Sequence, residues 1–423
     1  MRVITDLHIH SPYARAVSRD MTLENLDVWA AKKGITVMGT GDFTHPKWMQ
    51  EIKEKLEPAE PGLYQLRSEC RMQNAECATR FMLTVEISSI YTKHKKVHRI
   101  HNLIFAPSIQ IAETINKELG WRGNLASDGR PILGLDAEEL LKVVVGVDER
   151  AVLVPAHAWT PWFSVFGSMS GFDSLAECFG DLTPKIFAIE TGLSSDPAMN
   201  WRLSGLDDIA LISNSDSHSL QRIGREANVL DCALSYDGIM DAIRSHDPTR
   251  FLFTVEFFPE EGKYHYDGHA SHQVRMAPSE TRAAGGRCPT CGRPVTVGVM
   301  HRVEALADHP IGVKPPHAIP FRSMVPLDEI IAEAFDQGTN TKKVKEEYER
   351  LLTVLGTEFA ILMDAPIVDI KAAAAPVIAE GIERVRTGNL QIEPGYDGEY
   401  GTVKIFSEAD REAFTGGQTP LFS

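Results

Sequence analysis

The segment Asp6-Leu7-His8-Ile9-His10, in the β-branched run that opens the chain, constrains the fold more than any other stretch. Residues two apart on a strand point to the same side, so Asp6, His8 and His10 share one face and the residues between them face apolar packing. Paired neutral imidazoles at this spacing can hold one divalent cation, with Asp6 as a ligand or a hydrogen-bond acceptor. A lone His-x-His is often only a polar strand face, so a metal site needs ligands from elsewhere in the chain.

Such residues recur in later apolar runs. Glu86 stands within Thr84-Val-Glu86-Ile87, where an unpaired carboxylate would cost several kcal/mol. Asp216 and His218 follow the run Ile209–Ile212 and share a face, although a turn with an Asx cap would explain them equally well. The further polar residues in or at the ends of these runs are Asp42, His101, His157 and Glu190. One buried histidine is usually a satisfied core residue, but several in one alternating domain indicate a site.

The first 255 residues alternate between strand-like and helical stretches, which predicts a parallel sheet that is open or closed into a barrel. Strands are predicted at Arg2–His10, Ile35–Asp42, Phe81–Ile90, Arg99–Ala106, Ala151–Ala158, Lys185–Gly192 and Ile209–His218, and a helix at Thr22–Lys33 with Thr22 as its cap. In a closed barrel the carboxyl ends of the strands converge on one mouth, which would gather the polar residues. We therefore expect a barrel.

Composition divides the rest of the chain. Residues 256–312 are rich in Gly, Pro, His and Cys and predict a small metal-stapled module. Residues 313–406 are mainly helical, with helices expected at Leu327–Phe335, Lys342–Leu355 and Ile367–Val385, the last kinked or split at Pro376, and a hairpin around Tyr396. Residues 407–423 are expected to be a flexible tail. The six cysteines form no disulfide framework, and no apolar run could span a membrane, so we expect a cytoplasmic protein.

The pairs His269-x2-His272 and Cys288-x2-Cys291, the latter followed by Gly, are spaced like the ligands of a zinc knuckle. They predict one structural zinc, although His265 and His301 are also nearby. A redox cysteine pair is the alternative, but the βαβ context of thioredoxin-like proteins is missing.

The net charge of −15 argues only weakly against nucleic-acid binding, because screening confines fields to about 10 Å. One basic cluster surrounds the module, and a second lies between Glu86 and His101, which suggests that this second cluster lies near the mouth of the barrel. Aromatic residues follow His157, where they could stack on a base or form a packed lid. The candidate DNA-contacting residues are Lys95, Lys96, Arg99, Trp159, Trp162 and Arg293. A solvated basic face explains either cluster alone.

The strand motifs resemble those of the PHP family of metal-dependent phosphoesterases, which carry His-x-His on the first strand and Ser-Asp-x-His on the last. The resemblance implies a distorted (β/α)7 barrel with two or three Zn, Mn or Mg ions. It assigns His8, His10, Glu86 and Asp216 to one metal, Glu86, His101 and His157 to a second, and Asp42 and His218 to a third. The third is least secure, because Ala14-Arg-Ala-Val and Thr40-Gly-Asp42-Phe43 depart from the family pattern.

The chain is most similar to the endonuclease Q branch, through Asp6-Leu-His-Ile-His-Ser, Gly39-Thr-Gly-Asp, Ser215-Asp-Ser-His, Glu260-Glu-Gly-Lys-Tyr-His-Tyr-Asp-Gly-His, Cys288-Pro-Thr-Cys-Gly-Arg-Pro and Met300-His-Arg-Val-Glu-Ala-Leu-Ala-Asp. His272 departs from it, since relatives are expected to have cysteine there. The resemblance implies a DNA-repair endonuclease that nicks 5′ of deaminated bases (uracil, hypoxanthine, xanthine) or abasic sites through a metal-activated water. Asp216, Glu86 and His157 are the expected catalytic residues.

The tail residues Gln418, Leu421 and Phe422 resemble the Gln-x-x-Leu-Phe peptides that bacterial sliding clamps bind. Damaged DNA and the clamp are thus the expected partners. Two other functions stay open. A small-molecule phosphatase of the same family would leave the zinc module and the aromatic loop without a role. A non-catalytic DNA- or clamp-binding module would be expected to lack ligands that this chain has.

Overall fold

A computed structural model describes residues 1–71, 79–407 and 409–410. Its strands in the described residues are β1 (Arg2–Asp6), β2 (Val37–Gly39), β3 (Leu56–Pro58), β4 (Tyr64–Leu66), β5 (Arg80–Lys93), β6 (Lys96–Ala106), β7 (Ile132–Leu133), β8 (Val152–Pro155), β9 (Ala188–Glu190), β10 (Ala210–Ile212), β11 (Ala227–Asp231), β12 (Phe251–Glu256), β13 (Asp267–His269), β14 (Val274–Met276), β15 (Phe321–Ser323), β16 (Gln391–Glu393) and β17 (Thr402–Lys404). The helices there are α1 (Leu23–Lys33), α2 (Pro46–Lys55), α3 (Ile109–Gly120), α4 (Ala137–Val147), α5 (Leu175–Phe179), α6 (Pro197–Asn200), α7 (Tyr236–Arg244), α8 (Pro278–Ala283), α9 (Val299–Leu306), α10 (Leu327–Phe335), α11 (Lys342–Leu355), α12 (Ile367–Ala373) and α13 (Pro376–Thr387).

The main sheet is mixed, so the expectation of a wholly parallel sheet is wrong. Its strand order is β15-β12-β11-β1-β2-β5-β4-β3, with β6 added on β5 and β8 on β6. Strands β1, β2 and β5 are parallel neighbours, whereas β11 is antiparallel to β1 and β6 is antiparallel to β5. The β5–β6 pair is antiparallel because only His94 and Lys95 separate the two strands, which leaves no room for a crossover helix.

Strands β9 and β10 form a separate parallel pair, and Ile9 makes an isolated bridge to Ser217, just after β10. In the residues that the structure describes, the hydrogen-bond ladder does not continue from β8 to β9. Several predicted strands are longer than the observed ones; Ile209–His218, for example, contains only the three residues of β10. The polar residues therefore lie mostly just after the strands, where the backbone leaves the ladder.

Several predicted elements are confirmed. The side chain of Thr22 caps α1 by accepting a hydrogen bond from the backbone N–H of Asn25. Helices α10 and α11 have the predicted bounds, Pro376 is the first residue of α13, and β16 pairs with β17 around Tyr396. In these segments, local propensity and breaker residues determine where each element begins and ends.

One apolar core joins the sheet domain to the C-terminal helices, because residues such as Met38 and Leu83 belong to the same cluster as Ile330 and Ile378. Met276, Cys288 and Val295 form a small separate core in the module of residues 256–312. Among the described residues, no helix is both long and apolar enough to cross a membrane.

Candidate metal centre

Four side chains from distant segments form the first candidate ligand group. The ligand atoms of His8, His10, Glu86 and Asp216 all lie within 4.8 Å of one another. His10 Nε2 is 3.2 Å from Glu86 Oε2 and 3.1 Å from Asp216 Oδ1. The two histidines follow β1, Glu86 lies within β5, and Asp216 follows β10 with a left-handed φ of 46°. The parallel arrangement of β1, β2 and β5 brings these segments to one edge.

Glu86 also belongs to a second group. Its other oxygen, Oε1, lies 2.5 Å from His101 Nδ1 and 3.0 Å from His157 Nε2. These three ligand atoms also lie within 4.8 Å of one another. One buried carboxylate therefore faces two imidazole pairs, one with each oxygen. This geometry suits a carboxylate that bridges two cations.

The surroundings of His8 fit a cation. His8 Nε2 is buried and without a hydrogen-bond partner, 3.6 Å from Glu86 Oε2 and 3.5 Å from Asp216 Oδ1. Burial favours the neutral ring, but the charges of Glu190 and Asp216 outweigh it and raise the pKa of His8. Burial likewise opposes ionisation of Glu86, but His101 and Arg130 lower its pKa well below the ordinary value. A buried carboxylate pair that attracts positive charge is the environment a divalent cation requires.

The imidazoles of the first group are held by further carboxylates. His8 Nδ1 lies 3.0 Å from both oxygens of Glu190, which also accepts the backbone N–H of His157 at 2.8 Å. His10 Nδ1 lies 3.0 Å from Asp42 Oδ1. Such contacts select the tautomer that leaves Nε2 free to bind a metal. Asp6 accepts the backbone N–H groups of Ser215 and Gly224, and so fixes the loop that carries Asp216.

The expected third ligand pair is not brought together in the same way. Asp42 accepts from the backbone N–H and hydroxyl of Ser11 besides contacting His10. The His218 ring packs on the His10 ring at 4.7 Å, and its Nδ1 lies 2.9 Å from the Asp216 carbonyl oxygen. Within the described ranges, neither Asp42 nor His218 belongs to a group of three candidate ligands.

Sequence analysis missed Arg130. Its Nη1 donates to Glu86 Oε2 at 3.0 Å, and its side chain is 28% exposed, so it lies beside the candidate ligands and also reaches solvent. Its loop is fixed because the Pro131 carbonyl accepts the N–H of Ser88 on β5. The sequence around Arg130 carries no signal for this contact; the neighbouring Gly129 packs so closely on Asp42 that a Cβ would stand 2.4 Å from its Oδ2. The role of Glu190 as a hydrogen-bond acceptor was also missed.

We call residues 157–172, which follow β8, the lid loop. The structure contradicts the expectation that Trp159 contacts DNA: its ring is 1% exposed, packs on Phe166 and donates its Nε1–H to Asn200. Phe163, with φ of 63°, lies over the His101 ring at 4.8 Å. Trp162 is 37% exposed and contacts Tyr264 edge-on at 5.6 Å. Part of the loop is thus core, and part is accessible beside the metal centre.

The basic candidates lie at different distances from the centre. Arg99 is exposed, with its guanidinium 5.7 Å from the Phe163 ring centre, and Arg293 is exposed on the module. Lys95 and Lys96 are at the tip of the β5–β6 hairpin, where Lys96 pairs with Lys93, about 23 Å along β5 from Glu86 at roughly 3.3 Å per residue. Their expected place at the mouth is wrong, because β5 and β6 extend beyond it. The Nζ of Lys96 instead donates to the Gly171 carbonyl of the lid loop at 3.3 Å.

The module of residues 256–312 brings the two predicted metal-binding pairs together. The ligand atoms of His269, His272, Cys288 and Cys291 lie within 4.8 Å of one another, and the two Nδ1 atoms are 2.8 Å apart. Burial opposes the thiolate of Cys288, but the N–H groups of Cys291 and Thr290 outweigh it and lower its pKa to about 6. Two imidazole nitrogens and two sulfur atoms suit tetrahedral zinc.

One comparison with known proteins matches the C-terminal helices alone, and the others match more than half of the chain. The family profile of the MJ0043 C-terminal domain matches residues 326–389. Protein MJ0043 of Methanocaldococcus jannaschii is 31% identical over 257 residues, covering 59% of this chain and 31% of that protein, so the chain spans about a third of this relative. Protein YqxK of Bacillus subtilis is 28% identical over 421 residues, covering 95% of this chain and 99% of that protein.

Two solved structures match nearly the entire chain. The lesion-specific endonuclease PfuEndoQ from Pyrococcus furiosus has a TM-score of 0.84 and 32% identity, with 96% of each chain covered. A complex of endonuclease Q with a 27-mer duplex substrate, with an abasic lesion at the active site, has a TM-score of 0.82 and 31% identity, covering 97% of this chain and 98% of that one.

Proposed function

The chain belongs to the endonuclease Q family, and from this premise we propose that its metal centre hydrolyses one phosphodiester of damaged DNA. The cut would lie on the 5′ side of a deaminated base (uracil, hypoxanthine or xanthine) or of an abasic site, as the resemblance in the sequence implies; one similar structure is a lesion-specific endonuclease, and the other holds a duplex with an abasic lesion. The observation that carries the proposal is Glu86, whose two oxygens face two separate sets of imidazoles. Carboxylate-bridged cations are the usual means of phosphodiester hydrolysis without a nucleophilic side chain.

Each residue of the centre has a role in this proposal. His8, His10, Glu86 and Asp216 would hold one cation, and Glu86, His101 and His157 would hold a second. Bound there, Zn, Mn or Mg would lower the pKa of a water molecule and neutralise charge on the phosphate. We assign Arg130 to the phosphate, because its guanidinium adjoins Glu86 and reaches solvent. Asp42 and His218 could complete a third, weaker site.

We place the damaged nucleotide between the centre and the lid loop. Trp162 is exposed beside Tyr264, where a base taken out of the duplex could stack. Arg99 is near enough to contact a flanking phosphate, whereas Arg293, Lys95 and Lys96 would contact the duplex further away.

The domain boundaries belong to the same proposal: residues 1–255 as a distorted seven-stranded barrel, 256–312 as a zinc module, 313–406 as a helical domain and 407–423 as a tail. The Nδ1 contact of His269 with His272 supports the zinc, because two lone pairs at 2.8 Å are tolerated only around a proton or a cation. A small-molecule phosphatase is disfavoured, because the similarity to endonuclease Q extends over the module and the helices.

A nicking assay tests the function. We expect strand cleavage of duplexes that carry uracil, hypoxanthine or an abasic site with Mg²⁺ or Mn²⁺, and none of the undamaged duplex. Asp216→Ala should lose cleavage while still binding damaged DNA, because it removes a ligand and leaves the exposed contact residues. Asp208→Ala, an exposed aspartate between α6 and β10, is the matched control. Cleavage by Asp216→Ala at the wild-type rate would exclude the assignment.

We also propose clamp binding through Gln418, Leu421 and Phe422, which lie outside the described residues. Deleting residues 418–423 should abolish capture by a bacterial sliding clamp and leave nicking of short oligonucleotides unchanged. Undiminished capture of the truncated chain would rule this partner out.

A further inference from the structure

An arginine of the module contacts the lid loop, which belongs to the preceding sheet domain. Arg302, on α9, donates from Nε to the Phe166 carbonyl and from Nη2 to the Phe172 carbonyl, both at 2.9 Å. Nη2 also lies 2.6 Å from Asp173 Oδ1. The side chain is 18% exposed, so most of it is enclosed in this contact. A planar guanidinium can satisfy two carbonyl groups at fixed separation, which an ammonium cannot.

The lid loop that Arg302 holds is also part of the metal centre. It begins with His157, and the carbonyl of Phe163 accepts the backbone N–H of His101 at 3.1 Å. Its other end rests on the β5–β6 hairpin, where the His98 ring stacks on Phe172 at 3.8 Å. A shift of Phe166 or Phe172 would therefore move the backbone that positions His101 and His157.

On the module side, α9 is fixed to the strand that carries a candidate zinc ligand. Asp267 of β13 accepts the N–H of Gly298, the residue before α9, at 2.7 Å and contacts His301 Nδ1 at 2.6 Å. His269 is two residues further along the same strand. The Cys-His cluster is therefore connected to the lid loop through β13, α9 and the guanidinium of Arg302.

We propose that Arg302 is a positioning residue that couples the folded module to the lid loop, so that the loop keeps its conformation over the metal centre only while the module is intact. The module then has a role beyond contacting DNA. It supplies one wall of the loop that carries His157 and Trp162.

Hydrogen–deuterium exchange tests the coupling without relying on nuclease activity. In Arg302→Gln we expect amides of residues 160–172 to exchange about tenfold faster, since one net hydrogen bond is worth about that factor. Arg302→Lys should be intermediate, because it keeps the charge but not the two-carbonyl contact. Asp173→Asn, which changes only the exposed partner, should exchange like the wild type, and α11 should be unchanged in every variant.

The variant Cys291→Ala tests the coupling of the module to the lid loop independently of Arg302. Cys291 is exposed and belongs to the candidate zinc-ligand group, so its substitution should disturb the module and leave Arg302 in place, and amide exchange within residues 267–291 reports that disturbance. Faster exchange of residues 160–172 in this variant supports the coupling even if Arg302→Gln does not fold. Lid-loop exchange at the wild-type rate in a Cys291→Ala protein whose module amides exchange faster, or in a folded Arg302→Gln, or accelerated exchange in Asp173→Asn, would overturn the proposal.

The kinetic test rests on the proposed function. A displaced lid loop should raise KM for a damaged duplex about fivefold or more in Arg302→Gln, with partial recovery in Arg302→Lys. An arginine needed only for folding would reduce the fraction of active molecules and leave both KM and the kcat per active molecule unchanged, and that result would contradict a positioning role. If the wild type does not nick DNA, the proposed function fails while the exchange result still decides the coupling.

Discussion

Buried carboxylates near the metal centre differ in what they contact, and the sequence distinguishes them only in part. Glu86 faces four imidazoles, whereas Glu190 holds His8 and the backbone of His157. The alternation around His8 and His10 predicts which side chains share a face. It does not predict that Glu190 accepts hydrogen bonds or that Arg130 reaches Glu86, because both contacts join segments whose proximity depends on the folded sheet.

Arg130→Gln should lower the rate of nicking at saturating metal about 100-fold, as expected when one charge that stabilises the transition state is removed. The metal content of the candidate centre should stay unchanged, because the imidazole and carboxylate ligands remain. Single-turnover kinetics and elemental analysis measure the two quantities. Arg15→Gln is the control, since the backbone N–H of Arg15 contacts Asp128 of the same loop. Loss of metal from Arg130→Gln would instead mean that Arg130 orients Glu86.

Glu256 predicts a pH dependence of stability. It is fully buried and accepts the hydroxyls of Thr191 and Thr254, yet burial raises its pKa to about 8. The folded state therefore binds this proton more tightly than the unfolded chain, whose carboxyl has a pKa of about 4.5. Folding stability from this group falls as pH rises from about 4.5 to 8, by at most about 1.4 kcal/mol per pH unit.

Glu256→Gln removes that titration. The Tm difference between Glu256→Gln and the wild type should become more positive from pH 5 to pH 8 in calorimetry. A difference independent of pH would show that Glu256 is ionised in the folded protein.

At the scale of elements, the β5–β6 hairpin shows where local reasoning succeeds and fails. Both strands were predicted, but their extension to Lys93 and Lys96 was not, because the exposed tip lacks apolar alternation. The turn residues His94 and Lys95 have φ of 52° and 65°, the left-handed region that favours Asn and Gly. Neither residue type favours such a turn, so a two-residue connection could not be predicted here.

Replacing His94-Lys95 by Asn-Gly should stabilise the hairpin by about 1 kcal/mol, because the new residues adopt positive φ at lower cost. Thermal unfolding should show a higher Tm. The affinity for long duplexes should fall, because Lys95 is lost. Val97→Thr, at an exposed neighbouring site, controls for substitution at the tip. A lower Tm in the variant with His94→Asn and Lys95→Gly would indicate that His94 or Lys95 makes stabilising contacts.

For the whole molecule, the division into regions could be predicted, but their packing could not. Composition separates the module from the helices, whereas the joint core of sheet and helices depends on side chains more than 250 residues apart. Lys33 of α1 and Glu358, after α11, form a buried ion pair at 2.7 Å, with the Tyr348 hydroxyl donating to Glu358. Neither charge stands out in the sequence, because each lies in an ordinary amphipathic segment.

Lys33→Met should destabilise the protein by about 3–5 kcal/mol, because it leaves Glu358 buried without its cation. Lys33→Met with Glu358→Gln should recover part of this loss. Urea denaturation measures both, and Lys32→Met, which breaks the exposed pair with Glu349, should cost at most about 1 kcal/mol. Equal effects of the Lys32 and Lys33 substitutions would indicate that the inner pair is open to water.

The position of β1 inside the sheet has a consequence for synthesis on the ribosome. Thr5 pairs with Val37 on one side and with Asn228 on the other, so half of the ladder of β1 must wait for β11. At 5–20 residues per second, that delay is roughly ten to forty seconds, during which an open strand edge invites wrong pairing. A chain interrupted in this interval, before residue 216, has both histidines of the first ligand group but lacks its aspartate. Under the proposed function, such an unfinished chain would lack one metal ligand and would not cleave DNA.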